Sequence, residues 1–473
     1  MTVAACANDD PSEAVPTVSA TTSPITVPAV DTAADEPARS RPTDDPTPEP
    51  TPEPTDSMDD TAEATTTVAP STTVLSESTT VCDETTTGQP PTGPSVQLEE
   101  VAVFDGGTVS AATYPVPDDL GEPWSQWGQG VLLADGRFVS GVGDHRGADG
   151  RSWFYEYDPA TRTLAQTTEV GASLGHRSGD WGYGKLHAAM VLDPCDRVVT
   201  ATYWGSRRGL ELGGSYSGDH LIRYDPITRD ITSLGVPVTG HGLPSLSISP
   251  DRRTLYAEAV DPASEPDAGV FVVADALTGE VLHTDTSVDH IGFRDVLVTP
   301  EGDGLFASGN GLAGSSPTGA SIAEGGVFGG DSWFRSATPP ADDGSVAIST
   351  RNPDALWIRD ATGEFRDLGE VDDYVASLAL TSDATTVYFV PGAHGSGAEI
   401  GTPLVATDTR TGEQTVVVRL NDVIEPALGI RVGGSYNVVV DDANSRIYVG
   451  LNGGPANDEE VFGDVVLAVV EFD

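Results

Sequence analysis

Five stretches of this chain repeat one pattern, and the pattern dictates what the chain can build. FYEYDPATRTL at residues 154–164 recurs as LIRYDPITRDI at 221–231, VFVVADALTGEV at 270–281, LWIRDATGEF at 356–365 and LVATDTRTGEQ at 404–414. Each reads as a strand, a turn built on Asp with Gly or Arg, and the start of another strand. Asp suits such a turn because its carboxylate bonds backbone amides two residues on, and Gly because it accepts positive φ. A second unit stands before the first at a fixed distance: LSISPDRRTLYAEAV at 246–260, VLVTPEGDGLFASGN at 296–310, LALTSDATTVYFVPG at 378–392 and VVVDDANSRIYVGLNG at 438–453, all hairpins. One hairpin plus one strand-turn-strand makes four strands per roughly 45 to 65 residues, the size of a β-propeller blade. No long amphipathic helix interrupts the series.

The combination of YDPxTR with SPDxxxLY resembles the bacterial β-propellers grouped around the YVTN-repeat, streptogramin-lyase-like and quinoprotein-like families, over residues 96–473. The resemblance implies an all-β ring and no particular activity, since such rings serve as enzymes, binding modules and scaffolds. Counting gives a seven-bladed β-propeller, with inner strands starting near Gly130, Leu186, Leu243 and Ile291, at a poorly marked point between Phe328 and Ile348, and near Tyr374 and Ser435. Residues 311–343 fit least well, being rich in Gly, Ser and Ala around DSWFRS, so a six-bladed ring with an insertion there is the alternative. The last blade lacks one strand. VQLEEVAVFD at 96–105 is expected to supply it, pairing the two ends of the ring and removing exposed edges.

The hydrophobic fraction, 38% over all 473 residues, supports a large core only if part of the chain is left out of it. That part is evident: residues 1–95 are Thr, Pro, Ala, Ser, Asp and Glu with almost no aromatic or long aliphatic side chains, and are expected to form a disordered tether. Within it VAAC, ending at Cys6, resembles a lipobox, which makes Cys6 the expected lipidation site. No basic or apolar segment precedes it, so an export signal would have to begin upstream of Met1. An accidental Ala-Ala-Cys is the plain alternative. Cys82 and Cys195 could pair in an oxidising compartment, although sequence supplies no geometry for the bond. The expected location is extracytoplasmic, at the cell surface or envelope, with the membrane reached only through a lipid anchor, because no stretch of about 18 apolar residues exists. With 24 basic against 73 acidic residues and a formal charge of −49, nucleic acid is excluded as a partner.

The loops leading into the inner strands share a character: WSQWGQG (124–130), WGYGKLH (181–187), TGHGLPS (239–245), DHIGFRD (289–295), DDYVAS (372–377) and GGSYNV (433–438). In a propeller these loops meet at one mouth of the central channel. Three of them bring His187, His241 and His290 to similar positions, together with Arg294 and Lys185, the only lysine in the chain. These five are the candidate ligand-binding residues, and the three histidines are candidates to hold a divalent metal ion, since neutral imidazoles from separate blades can do so. Lys185 could polarise a carboxylate or act as a base. The plain reading is that each histidine is a hydrogen-bonded structural residue. GADGRSWF at 147–154 falls one residue short of an Asp-box and reads as a hairpin, DDAN at 441–444 reads as a turn, and His394 reads as a loop residue. There is no phosphate loop, zinc-finger spacing, GxSxG elbow or distinct carboxylate pair.

The expected function is that of a ligand-binding or scaffold module, monomeric and surface-tethered, that meets a small molecule, polysaccharide or protein at the channel mouth. The alternative is an extracytoplasmic metal-assisted lyase or hydrolase acting at the same place.

Overall fold

A computed structural model describes residues 82, 90–117, 120, 124–204, 216–261, 269–288, 294–324, 327–329, 332–457 and 461–473. The expected tether, including Cys6, lies outside the described residues except for Cys82 and residues 90–95. The rest is a seven-bladed β-propeller: seven antiparallel sheets, each entered at its innermost strand. The inner strands are Val131–Leu132, Val191–Leu192, Gly242–Ile248, Leu297–Val298, Trp333–Ala337, Leu378–Leu380 and Ile430–Asp441, which number blades 1 to 7.

The repeated turn is explained residue by residue. In all five copies the Asp carboxylate accepts the amide two residues on: Asp158 from Ala160, Asp225 from Ile227, Asp275 from Leu277, Asp360 from Thr362 and Asp408 from Arg410, at 2.8–3.0 Å. The Gly-or-Arg position is left-handed in each, at φ 55° for Arg162, 64° for Arg229, and 73°, 89° and 75° for Gly279, Gly363 and Gly412. Glycine adopts that conformation without strain, so arginine there needs compensation. Both arginines find it on the preceding blade. Arg229 of blade 2 reaches Glu156 of blade 1 (2.7 Å), a buried carboxylate that also receives Arg137 (2.7 Å) and the Tyr224 hydroxyl (2.5 Å). Arg162 of blade 1 reaches Ser110 of blade 7.

Strands inside the ring are covered on both faces, so the usual alternation gives way to continuous burial, as in Phe138–Gly143 and Thr254–Val260. Aromatic pairs join neighbouring blades: Phe154 stacks on Tyr224 at 4.6 Å, Phe138 on Tyr448 at 4.9 Å, and Phe271 meets Phe306 at 4.7 Å. Such pairs contribute about 0.5–1.5 kcal/mol each beyond their area.

Two expectations are corrected. The six-bladed alternative fails, because Gly311–Ser315 and Ser321–Glu324 complete blade 4 and Trp333–Ala337 opens blade 5. Small residues hid the first two strands, and a charged side chain, Arg335, disguised the third. Closure does come from the segment ahead of blade 1, but from Gly107–Thr113 rather than 96–105. It pairs with Asp464–Phe472 from Gly107 opposite Phe472 to Thr113 opposite Val466. An interior strand needs side chains that bury on both faces, which GTVSAAT provides; Glu99–Phe104 carries exposed Glu99 and Glu100 and so forms the rim strand outside it, while Ser95–Gln97 pairs with the outer strand of blade 1.

Cys82 and Cys195 form a disulfide with Cα atoms 5.5 Å apart, tying the segment before the ring to a turn of blade 2. Among the described residues no helix is long and apolar enough to cross a membrane.

Removing residues 464–473 should abolish cooperative unfolding or drive association, since it unpairs both Arg446–Pro455 and Gly107–Thr113. A shortened protein that stays monomeric by sedimentation with an unchanged Tm would refute closure. Cys82→Ser should lower stability by about 2–4 kcal/mol in chemical denaturation, the usual cost of losing a native disulfide.

Candidate functional site at the channel mouth

Arg294, three residues ahead of the inner strand of blade 4, touches four other blades. Its Nη1 donates to Nε2 of His187 (2.9 Å, blade 2) and to the Trp127 carbonyl (3.1 Å, blade 1). Its Nε donates to the Tyr374 hydroxyl (2.9 Å, blade 6), and its guanidinium lies 4.3 Å from the Tyr436 ring centroid (blade 7). One side chain can meet groups from so many blades only at the ring axis. Arg335, from the inner strand of blade 5, adds a second guanidinium on the same Tyr374 oxygen, with Nε at 3.0 Å and Nη2 at 2.6 Å.

Lys185 comes in from blade 2. Its Nζ stands 3.8 Å from the Trp127 ring centroid and 5.3 Å from that of Tyr203, geometry in which the ring quadrupole attracts the cation. Trp127 is the hub of the rings: stacked on Phe462 (5.7 Å) and His187 (6.4 Å), and tilted against Tyr436 (4.8 Å), His145 (5.2 Å) and His394 (5.9 Å). His394 in turn stacks on Tyr374 at 5.4 Å. The three cations are nearly sealed from solvent, with Lys185 1%, Arg294 5% and Arg335 0% exposed.

Burial, then the positive charges of Arg294 and Lys185, push His187 well below the usual histidine range. It is therefore neutral, and its hydrogen bonds fix the tautomer: Nδ1–H donates to the Pro244 carbonyl of blade 3 (2.7 Å) while Nε2 accepts from Arg294. Beside Arg294, Asp295 moves the other way. Burial raises its carboxyl to about 6 against hydrogen bonds from Ser336 (2.6 Å) and the Ala337 amide and the pull of Arg294 and Arg335.

Of the five candidate ligand-binding residues, the structure brings together Lys185, His187 and Arg294. His241 turns to its own loop, with Nδ1 against the Thr239 carbonyl (3.0 Å), and has no contact with that group. His290 lies outside the described residues. The three-histidine metal set is thus not assembled among them: both nitrogens of His187 are engaged, and no group of three His, Cys, Asp or Glu is placed to hold a metal ion. Sequence reasoning missed Trp127, Arg335, Tyr374, Tyr436 and the inward aim of His394. Three of these stood in the loops already compared, each with an aromatic residue, a signal passed over because aromatic side chains are usually core.

No protein family's sequence model matches the chain, and no curated protein does. Among solved structures it is similar to an oligogalacturonate lyase in complex with manganese, at 13% identity and TM-score 0.50, covering 81% of this chain and 99% of that one. An oligogalacturonate lyase from Vibrio parahaemolyticus follows at 12%, 0.48, 80% and 98%, and a streptogramin B lyase at 8%, 0.48, 77% and 98%. At such identities the likeness shows the fold alone.

The pKa shifts predict an acid-side signature. Below about pH 6.5 an unfolded His187 takes up a proton that the folded protein refuses, so stability present above that pH is lost as pH falls, by up to about 1.4 kcal/mol per unit. Asp295 opposes it: between about pH 6 and the ordinary carboxylate value the folded state binds the extra proton, which stabilises as pH falls. His187→Asn should flatten the loss between pH 6.5 and 5.5 in denaturant titrations, and Asp295→Asn should steepen it below pH 6. Parallel curves for all three proteins would contradict these assignments.

Proposed function

We propose that the protein is a binding module that takes an anionic ligand at the Trp127–Lys185–Arg294 mouth of the channel. The observation that carries this reading is the placement of charge. A chain with 24 basic and 73 acidic residues, and a single lysine, gathers Lys185, Arg294 and Arg335 on its axis among stacked rings. Buried cations gathered in one place favour an approaching carboxylate or sulfate, which their charge attracts.

The Cys82–Cys195 disulfide supports an oxidising, extracytoplasmic setting, in which the acidic amino-terminal segment and Cys6 would tether the ring to a membrane surface. A second reading has its own observation. His187 bonds blade 3 through Pro244 and blade 4 through Arg294, as a strut would, so the cluster could instead be a plug that locks the blades together.

Calorimetric titration with oligomers of galacturonic acid, and with neutral glucose oligomers as controls, separates the two. On the binding reading an acidic oligomer binds and the neutral one does not, and Lys185→Met weakens binding about tenfold to a hundredfold at unchanged Tm, the value of one charge-assisted contact. Failure of acidic sugars, citrate and sulfate alike to bind, with Lys185→Met and Arg294→Met each lowering Tm by several degrees, would establish the plug.

A further inference from the structure

Beyond this cluster the channel continues as a cavity of about 360 Å³ running to the opposite mouth. Its walls are apolar side chains from the inner strands, among them Leu132, Met190, Leu246, Val298, Leu380 and Val440. Its polar lining includes Gln129, whose amide joins blades 1, 7 and 6 by donating to the Val438 (3.0 Å) and Leu378 (3.3 Å) carbonyls, and Asp295. The far mouth is different in kind. Asp342 and Asp442, both exposed, stand there on the turns of blades 5 and 7, with Ser382 of blade 6 between them. The Asp342 amide donates to the Ser382 carbonyl (2.9 Å) and the Ser382 amide to Oδ2 of Asp442 (2.5 Å), so the three turns are held in register. From Tyr436 at the cationic mouth to Asp441 beside the acidic one is five residues of extended strand, about 16 Å.

An apolar tube with a carboxylate-bearing rim fits one class of guest by charge and shape. We propose that this channel is a second binding site, for a small amphipathic cation whose aliphatic body lies along the inner strands and whose ammonium group sits between Asp342 and Asp442. Several features support that polarity. The apolar walls favour burying a hydrocarbon body. The rim carboxylates favour a cation at the only end where it stays hydrated, and the charge of −49 raises the local concentration of any cation at an acidic mouth. The reverse orientation is less favoured, because the one other carboxylate in the lining, Asp295, is already held by Ser336 and drawn by Arg294 and Arg335. An anionic amphiphile meets the opposite pattern, with its body in the same walls but its head between two carboxylates. The site is independent of the anion site at the other mouth, and the two share no side chain that a guest must touch.

The test uses the full chain at low salt, where exposed charges are least screened, with hexylammonium, hexanol and hexanoate as probes followed by calorimetry and by NMR of the Met190 methyl group on the channel wall. Hexylammonium should bind most tightly, hexanol more weakly and hexanoate weakest, with the Met190 resonance shifting on saturation. Asp342→Asn combined with Asp442→Asn, which removes both charges while the side-chain carbonyl oxygen at position 442 can still accept the Ser382 amide, should weaken hexylammonium about three- to tenfold and leave hexanol and the Tm unchanged. Lys185→Met should change neither. Equal affinity for the three probes, indifference to the Asp342→Asn/Asp442→Asn pair, or no binding of hexylammonium at tens of millimolar would overturn the proposal, the last outcome leaving a channel that holds water only.

Discussion

The ring depends on the antiparallel pairing of Gly107–Thr113 with Asp464–Phe472. The four strands of every other blade are consecutive and could form locally, Ser95–Gln97 only adding an edge to blade 1, whereas this sheet joins segments separated by almost the whole folded domain. Its consequence is geometric. Once the two ends are paired, blade 7 presses on blade 1 through Phe138 and Tyr448, and the Arg162 turn finds Ser110 on the closing strand. The seven inner strands are then forced around one axis. Without that pairing Arg294 could not meet residues of blades 1, 2, 6 and 7 at once.

The axis is also where the chain departs most from the rest of its own composition. In the repeated turns acidic side chains act as turn formers, each carboxylate accepting a backbone amide close in sequence. At one mouth the scarce basic residues are drawn inward and held by rings. At the other end of the channel the turns instead carry the exposed carboxylates Asp342 and Asp442.

Much of the fold was legible because its signal is local and repeated. The Asp turn and the left-handed Gly or Arg recur at fixed places in strand-turn-strand units, and physical chemistry fixes what they do. Blade 5 was obscure for the opposite reason: Trp333–Ala337 lacks the hairpin pattern, and its inner strand carries Arg335, which the axis requires and a generic strand would not. The closing strand was misplaced by about ten residues because VQLEEVAVFD reads as a better strand than GTVSAAT, and only the demand for burial on both faces selects the second. At the candidate site, basic residues and histidines were visible as rare letters, but which of them converge depends on loop paths. Lys185, His187 and Arg294 do; His241, one loop further on, folds back on its own backbone. Of the proposed metal ligands, His187 has its Nε2 engaged by the Arg294 guanidinium, and His290 lies outside the described residues.

The cluster at the cationic mouth is hard to account for as a source of stability alone. Each cation–π contact returns about 0.5–2 kcal/mol, whereas removing a cation from water costs several. Arg294 and Arg335 recover part of that cost through hydrogen bonds to His187, the Trp127 carbonyl and the Tyr374 hydroxyl and through the neighbouring Asp295 carboxylate. Apolar side chains of similar volume at the same three positions would bind the blades at lower cost. Sequence, packing and electrostatics agree over most of this ring and disagree at its axis, which is where a protein built for stability alone would have the least reason to spend its one lysine.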